Sequence, residues 1–184
     1  MEPVKQIKVK KGMKVSELLD EMKGTAFNAR KIGEAAEILA EMTKDKECKL
    51  FLGLAGAMIP GGMKGIILDL LDYTSVFVST GANLTHDLIE ALGYRHYQGD
   101  EKADDSELNK KGVDRIYDVF MENNVYEGLE KFFDKNWAKF ENCKTIKEFL
   151  WKLGEVLPAK PESILKKCYE KKLYFITASP DFSF

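Results

Sequence analysis

Several protein classes are argued against by what this sequence has little of. Its 184 residues contain three cysteines, Cys48, Cys143 and Cys168, far apart and without a CxxC pair. That count argues against a disulfide scaffold and offers no zinc-ligand spacing, and it points to a reducing, cytoplasmic location. Cys48 and Cys168 lie in apolar contexts and read as small core residues. No apolar run approaches the roughly 18 residues of a membrane span. The opening MEPVKQIKVKKGMKV lacks the hydrophobic stretch of a secretory signal. Neither charge sign is in excess: the net charge of −2 is unlike the basic surplus of a nucleic-acid-binding surface. Lys5, Lys8, Lys10, Lys11 and Lys14 are the one basic cluster, and they read as a solvated tail ahead of a phosphate or RNA contact. Internal repeats, low-complexity segments, GxGxxG and Walker loops are all absent.

What is present is a globular composition, 45% hydrophobic and 32% charged, on a chain long enough for one domain with a real core. A single domain over 1–184 is expected, with a basic segment at 1–13 and a flexible polar excursion at 94–111. Apolar spacing predicts helices over 15–23, through Val15, Leu18, Leu19 and Met22, and over 27–44, through Ile32, Ala35, Ala36, Leu39 and Met42. The run 49–54 reads as a buried parallel strand, followed by a glycine-rich loop and a helix over 62–72. Residues 75–79 read as a second buried strand, leading through Thr80, Gly81 and Ala82 into a helix over 84–92 that Gly93 closes. After an irregular stretch at 94–124, helices are expected over 126–140, over 146–153 behind a Thr145/Glu148 capping box and closed by Gly154, and over 161–171 with Pro161 leading. Residues 173–177 make a third apolar strand. Strands alternating with helices indicate an α/β fold, a partial doubly wound, Rossmann-like parallel sheet with flanking helices. Such sheets bind ligands beyond the carboxyl ends of their strands. Here those ends are 53–62 and 79–87, both rich in small residues that let a ligand come close to backbone.

Ser79-Thr80-Gly81-Ala82-Asn83-Leu84-Thr85-His86-Asp87 is the densest polar cluster after any strand. Hydroxyls and backbone N–H groups at a helix start suit a phosphate or hydroxyl ligand. Each residue also has a plainer reading. Thr80 or Asn83 serves as an N-cap, Asp87 complements the helix dipole, and His86 is a capping or surface residue. Adjacent helical positions diverge by about 100°, so His86 and Asp87 face different ways.

The segments FLGLAGAMIPGGMKGIILDLL (51–71) and VFVSTGANLTHDLIEALG (76–93) resemble the deoxyhypusine synthase family. In order and spacing, so do GTAFNARKIGEAAEIL (24–39), GVDRIYDVFMENNVYEGLEKFF (112–133) and WKLGEVLPAKPESILKKCYEKKLYF (151–175). This resemblance covers nearly the whole chain from about residue 10 and implies NAD-dependent transfer of an aminobutyl group from spermidine. The acceptor is a translation-factor lysine in one branch and a small diamine in another. It further implies a homotetramer with active sites between paired subunits. Carried over, Ser79, Thr80 and Gly81 match the strand-end contact to the dinucleotide. Ala55, Gly56 and Ala57 stand where the hypusine-forming branch has Thr-Ser-Asn at the cofactor. His86 stands where that branch has a polyamine-binding Glu, and it and the adjoining Asp87 are expected to bind the substrate amine. Asp181 falls where the family has an acidic residue after its strand. The His86 departure favours the diamine branch.

The family's nucleophilic lysine has no counterpart among these lysines, so no catalytic residue is expected in this chain, and the sheet should show an unpaired edge and an exposed apolar face. Three readings follow. The chain is half of an enzyme that needs a C-terminal-half polypeptide, or a non-catalytic NAD-binding or regulatory paralogue assembling with a full-length relative, or a remnant that self-associates. No metal site is expected.

Overall fold

The computed structural model describes residues 1–177, which divide into two compact units, 1–50 and 51–177 within the described residues. The first is a helical hairpin of α1 (Val15–Lys23) and α2 (Phe27–Lys44), as the apolar spacing predicts. Gly33 marks the helix crossing: a Cβ there would lie 2.7 Å from the Leu19 carbonyl oxygen. Lys23 bridges Asp20 and Glu37. A concave opening of about 1000 Å³ in this unit is lined by both signs, including Lys5, Lys10 and Lys11 against Glu17, Asp20 and Glu21. It therefore lacks the single-sign field that draws a phosphate.

The second unit is built on three parallel strands, β1 (Phe51–Leu54), β2 (Val76–Ser79) and β6 (Tyr174–Thr177), in the order β1-β2-β6. Leu54, Ser79 and Thr177 stand in register at the carboxyl ends. Helices α3 (Lys64–Leu70), α4 (Gly81–Ala91), α6 (Asn124–Phe140), α7 (Ile146–Val156) and α8 (Ile164–Glu170) complete the mixed α/β fold. The core gathers Phe77, Leu84, Leu88, Leu129, Leu153, Leu165 and Phe175, with the Phe77 and Phe175 rings 5.0 Å apart.

Strand burial alternates, unlike the continuous burial expected from the apolar runs. Leu52, Leu54, Phe77 and Phe175 pack toward the core. Phe51, Tyr174 and Ile176, on the other face, are exposed. A parallel sheet is ordinarily covered on both faces, so among the described residues this sheet has one face open.

Several boundaries differ from the sequence-based expectation. Gly154 does not end α7 but lies buried inside it, because a Cβ there would sit 2.3 Å from the Leu165 carbonyl oxygen where α7 and α8 cross. Pro161 follows a cis peptide bond and precedes the helix; Ser163 is the N-cap of α8, its Oγ accepting from Lys166 N–H. The irregular stretch 94–124 carries an antiparallel ribbon, β3 (Tyr97–Gln98), β4 (Val113–Ile116) and β5 (Val119–Glu122), with α5 (Asp105–Lys110) between β3 and β4. Arg115 ties that ribbon to α5 by donating from Nε and Nη2 to the two carboxylate oxygens of Asp105, at 2.7 and 2.9 Å. Strands of two to four residues are too short to register as an alternating period.

Among the described residues no helix is long and apolar enough to cross a membrane.

Candidate functional site

Thr80 ends β2 in extended backbone, and its Oγ1 accepts from Asn83 N–H at 3.4 Å. This cap starts α4 at Gly81, three residues before the apolar spacing does. His86 and Asp87 therefore fall in the second helical turn. No group among the described residues accepts from Gly81 or Ala82 N–H, as is usual for the first turn of a helix. Ser79 Oγ, buried at the end of β2, has no hydrogen-bond partner among the described residues.

Opposite lies the loop after β1, in which Ala55, Gly56 and Ala57 are exposed. The buried Asn83 side chain holds it. Its Nδ2 donates to the Ala55 carbonyl at 3.0 Å, and its Oδ1 accepts from Met58 N–H at 3.1 Å and Ile59 N–H at 3.3 Å. Asn83 thus joins the 55–57 loop to the 79–81 turn, the two segments that sequence reasoning singled out. A Cβ built on Gly53 or Gly56 meets nothing within 4 Å, so the strand ends open onto free space. These features fit a dinucleotide: close-approach glycines, an unsatisfied hydroxyl, and free N–H groups at the start of an eleven-residue helix.

Asp87 turns the other way and is fully buried. Its Oδ2 accepts from Ser163 Oγ–H at 2.8 Å and Leu165 N–H at 2.9 Å, and its Oδ1 from Ile164 N–H at 3.0 Å. It thereby caps α8 from a different helix. Burial pushes its carboxyl above the usual range, against the pull of these donors and of Lys64 at 3.6 Å. The same burial, with Asp87 nearby, pushes the Cys168 thiol up to about 12.

His86 is half-buried and enters a chain of side chains that sequence reasoning missed. Its Nδ1 lies 3.0 Å from Nε2 of His96, whose Nδ1 lies 2.9 Å from Glu90 Oε1. Lys64 Nζ is 2.5 Å from Glu90 Oε2. Burial, then the charge of His96, lowers His86 to about 4. Burial also raises Glu90, but hydrogen bonds from His96 and Lys64 outweigh it and hold the carboxyl below its ordinary range. The signal for this chain was modest: His86 and Glu90 are four residues apart on one helix, and the sequence has no histidine besides His86 and His96. Asp181 lies outside the described residues. No group of three metal-ligating side chains occurs among the described residues.

Residues 17–184 match the family model for deoxyhypusine synthase. Probable deoxyhypusine synthase 1 of Archaeoglobus fulgidus is 41% identical over 167 residues, covering 90% of this chain and 55% of that protein. The deoxyhypusine synthase-like protein of Chlorobaculum parvum is 39% identical over 181 residues, covering 92% of this chain and 50% of that protein. In fold, a crystal structure from Entamoeba histolytica, itself provisionally assigned as a deoxyhypusine synthase, superposes with a TM-score of 0.60 at 14% identity, over 91% of this chain and 59% of that one. The chain spans about half the length of the curated relatives it matches. On the family match and these identities, the chain belongs to the deoxyhypusine synthase family.

Proposed function

We propose that this chain supplies the dinucleotide- and polyamine-facing part of a site for NAD-dependent aminobutyl transfer from spermidine to an amine acceptor. The acceptor is a translation-factor lysine or a small diamine. The observation that carries this reading is the Asn83 clamp, which holds the 55–59 loop beside the start of α4, with open space over Gly53 and Gly56. NAD bound there would accept a hydride from the amine carbon and return it later. Around it, Gly81 and Ala82 N–H groups and Thr80 would hold phosphate or ribose oxygens, and Ser79 would offer its unpaired hydroxyl. His86, one helical turn beyond Ala82, would meet the amine. The loop methyls of Ala55 and Ala57 leave backbone as the contact on that side.

The nucleophile is proposed to come from outside residues 1–184. Lys64, the lysine beside the site, already has its ammonium engaged by Glu90 and lies near Asp87. An amine nucleophile instead needs an apolar or electropositive setting. The open sheet face and the half-length coverage of the relatives support assembly with further polypeptide of the family, as a homo- or hetero-oligomer.

The experiment combines this chain with the remaining length of a family member. Co-elution on size exclusion, and NADH formation from NAD and spermidine only in the mixture, are expected. The absence of both a complex and NADH in the mixture would sink the proposal.

A further inference from the structure

The chain Lys64–Glu90–His96–His86 has a direction that follows from which atoms can donate. Lys64 Nζ only donates, and both oxygens of the Glu90 carboxylate only accept. His96 Nδ1 therefore carries the hydrogen of its 2.9 Å contact with Glu90. With both rings neutral, each imidazole has one N–H, so His96 Nε2 is bare and must accept. The hydrogen of the 3.0 Å contact between the rings then sits on His86 Nδ1. That leaves His86 Nε2 bare as well, and no side chain or backbone group among the described residues donates to it. The His96 side chain is 5% exposed and that of Lys64 is 15% exposed, so water competes little for the inner links.

From this geometry we propose that Lys64, Glu90 and His96 are positioning residues that fix the His86 ring in its Nδ1–H form and present Nε2 as an acceptor for one N–H of an amine ligand. The ligand class rests on the function proposed above; the ring state does not. His86 lies four residues after Ala82, on the same face of α4, and Ala82 is exposed beside the strand-end opening. A carboxylate at this position would pull on the charge of any ammonium. A bare imidazole nitrogen instead reads a single N–H through a directed lone pair. The relay would therefore select the nitrogen that can aim one hydrogen at Nε2.

The test is a two-bond ¹H–¹⁵N spectrum of the ¹⁵N-labelled chain at about pH 8, where free imidazole is neutral. With only two histidines, every ring signal belongs to the pair. Both rings are expected with Nδ1 protonated and Nε2 bare. Either ring with Nε2 protonated overturns the proposal in the unaltered protein, whatever a variant does. Glu90→Gln provides a second arm. Lys64 still needs an acceptor, so the Gln carbonyl turns to it and the amide NH₂ faces His96. Both rings should then switch to Nε2–H, and unchanged rings in a folded Glu90→Gln protein overturn the relay.

Spermidine, titrated with NAD present, is expected to shift the His86 Nε2 signal, with at least tenfold weaker apparent affinity in Glu90→Gln. A correctly oriented pair that ignores spermidine overturns the amine contact. Failure to bind NAD at all tells instead against the function proposed above, and leaves the ring states to be read independently.

Discussion

Asp87→Asn separates a structural carboxylate from a ligand-binding one. In the native chain three donors converge on Asp87: Ser163 Oγ–H, Ile164 N–H and Leu165 N–H. Asparagine keeps one acceptor oxygen and replaces the other with an NH₂ group. Whichever way the amide turns, one N–H in the first turn of α8 is left buried and unpaired, costing about 1–3 kcal/mol. Losing the negative charge at that helix start costs about 0.3–1 kcal/mol more. Relief of a buried charge offsets part of this, since burial already disfavours the ionised carboxyl. The expected net loss is about 2 kcal/mol. Asp87→Ala removes both acceptor oxygens and should lose about 4 kcal/mol. Urea unfolding with an unchanged m-value checks the totals. Amide exchange at Ile164 and Leu165 should locate the loss in α8. A change below about 0.5 kcal/mol for Asp87→Asn, or an Asp87→Ala loss no larger than that of Asp87→Asn, would show that Asp87 does not hold the start of α8.

Other perturbations have equally definite outcomes. Asn83→Ala leaves the buried Ile59 N–H without its acceptor, while Met58 N–H keeps the Gly56 carbonyl; stability should fall by about 1–3 kcal/mol, with exchange at Ile59 accelerating before the rest of the unit. Gly154→Ala forces α7 away from the Leu165 carbonyl and should lose about 1–3 kcal/mol in thermal unfolding. His86 is held neutral in the folded chain down to about 4, while an unfolded histidine takes up its proton near 6.5. The unfolded state thus binds more protons between these values, so the His86 contribution is complete above about pH 6.5 and is lost as pH falls toward 4. His86→Gln should flatten the stability-pH curve in that window, by less than the one-proton limit of about 1.4 kcal/mol per pH unit because the ring keeps some contact with water.

The parts legible in the sequence were those with a period or a local signature. The two helices of the first unit, the three parallel strands and the Thr145/Glu148 capping box follow from apolar spacing and short-range chemistry. The segments 53–62 and 79–87 are legible as strand ends, and the structure joins them through Asn83 and Ala55. What escaped depends on contacts distant in sequence. Asp87 meets residues 76 to 78 positions away, and no local pattern reveals that its carboxylate caps another helix. Asn83 reads as an N-cap until its reach of 24 to 28 residues to the 55–59 loop is known. Gly154 reads as a helix stop because its real cause, the backbone of α8, is invisible to a linear pattern. His96 lay in a stretch with too short a period to be placed against α4.

NAD bound beside the 55–57 loop and the start of α4, as proposed, is checked by calorimetric titration of NAD into the chain and its Gly56→Val variant. Nothing lies within 4 Å of a Cβ on Gly56, so the variant should melt like the parent. Its side chain would, however, occupy the space the dinucleotide needs. Saturable binding by the parent and its loss in Gly56→Val, at unchanged melting temperature, is the predicted result. Equal binding by both proteins, or none by the parent, would remove NAD from this position.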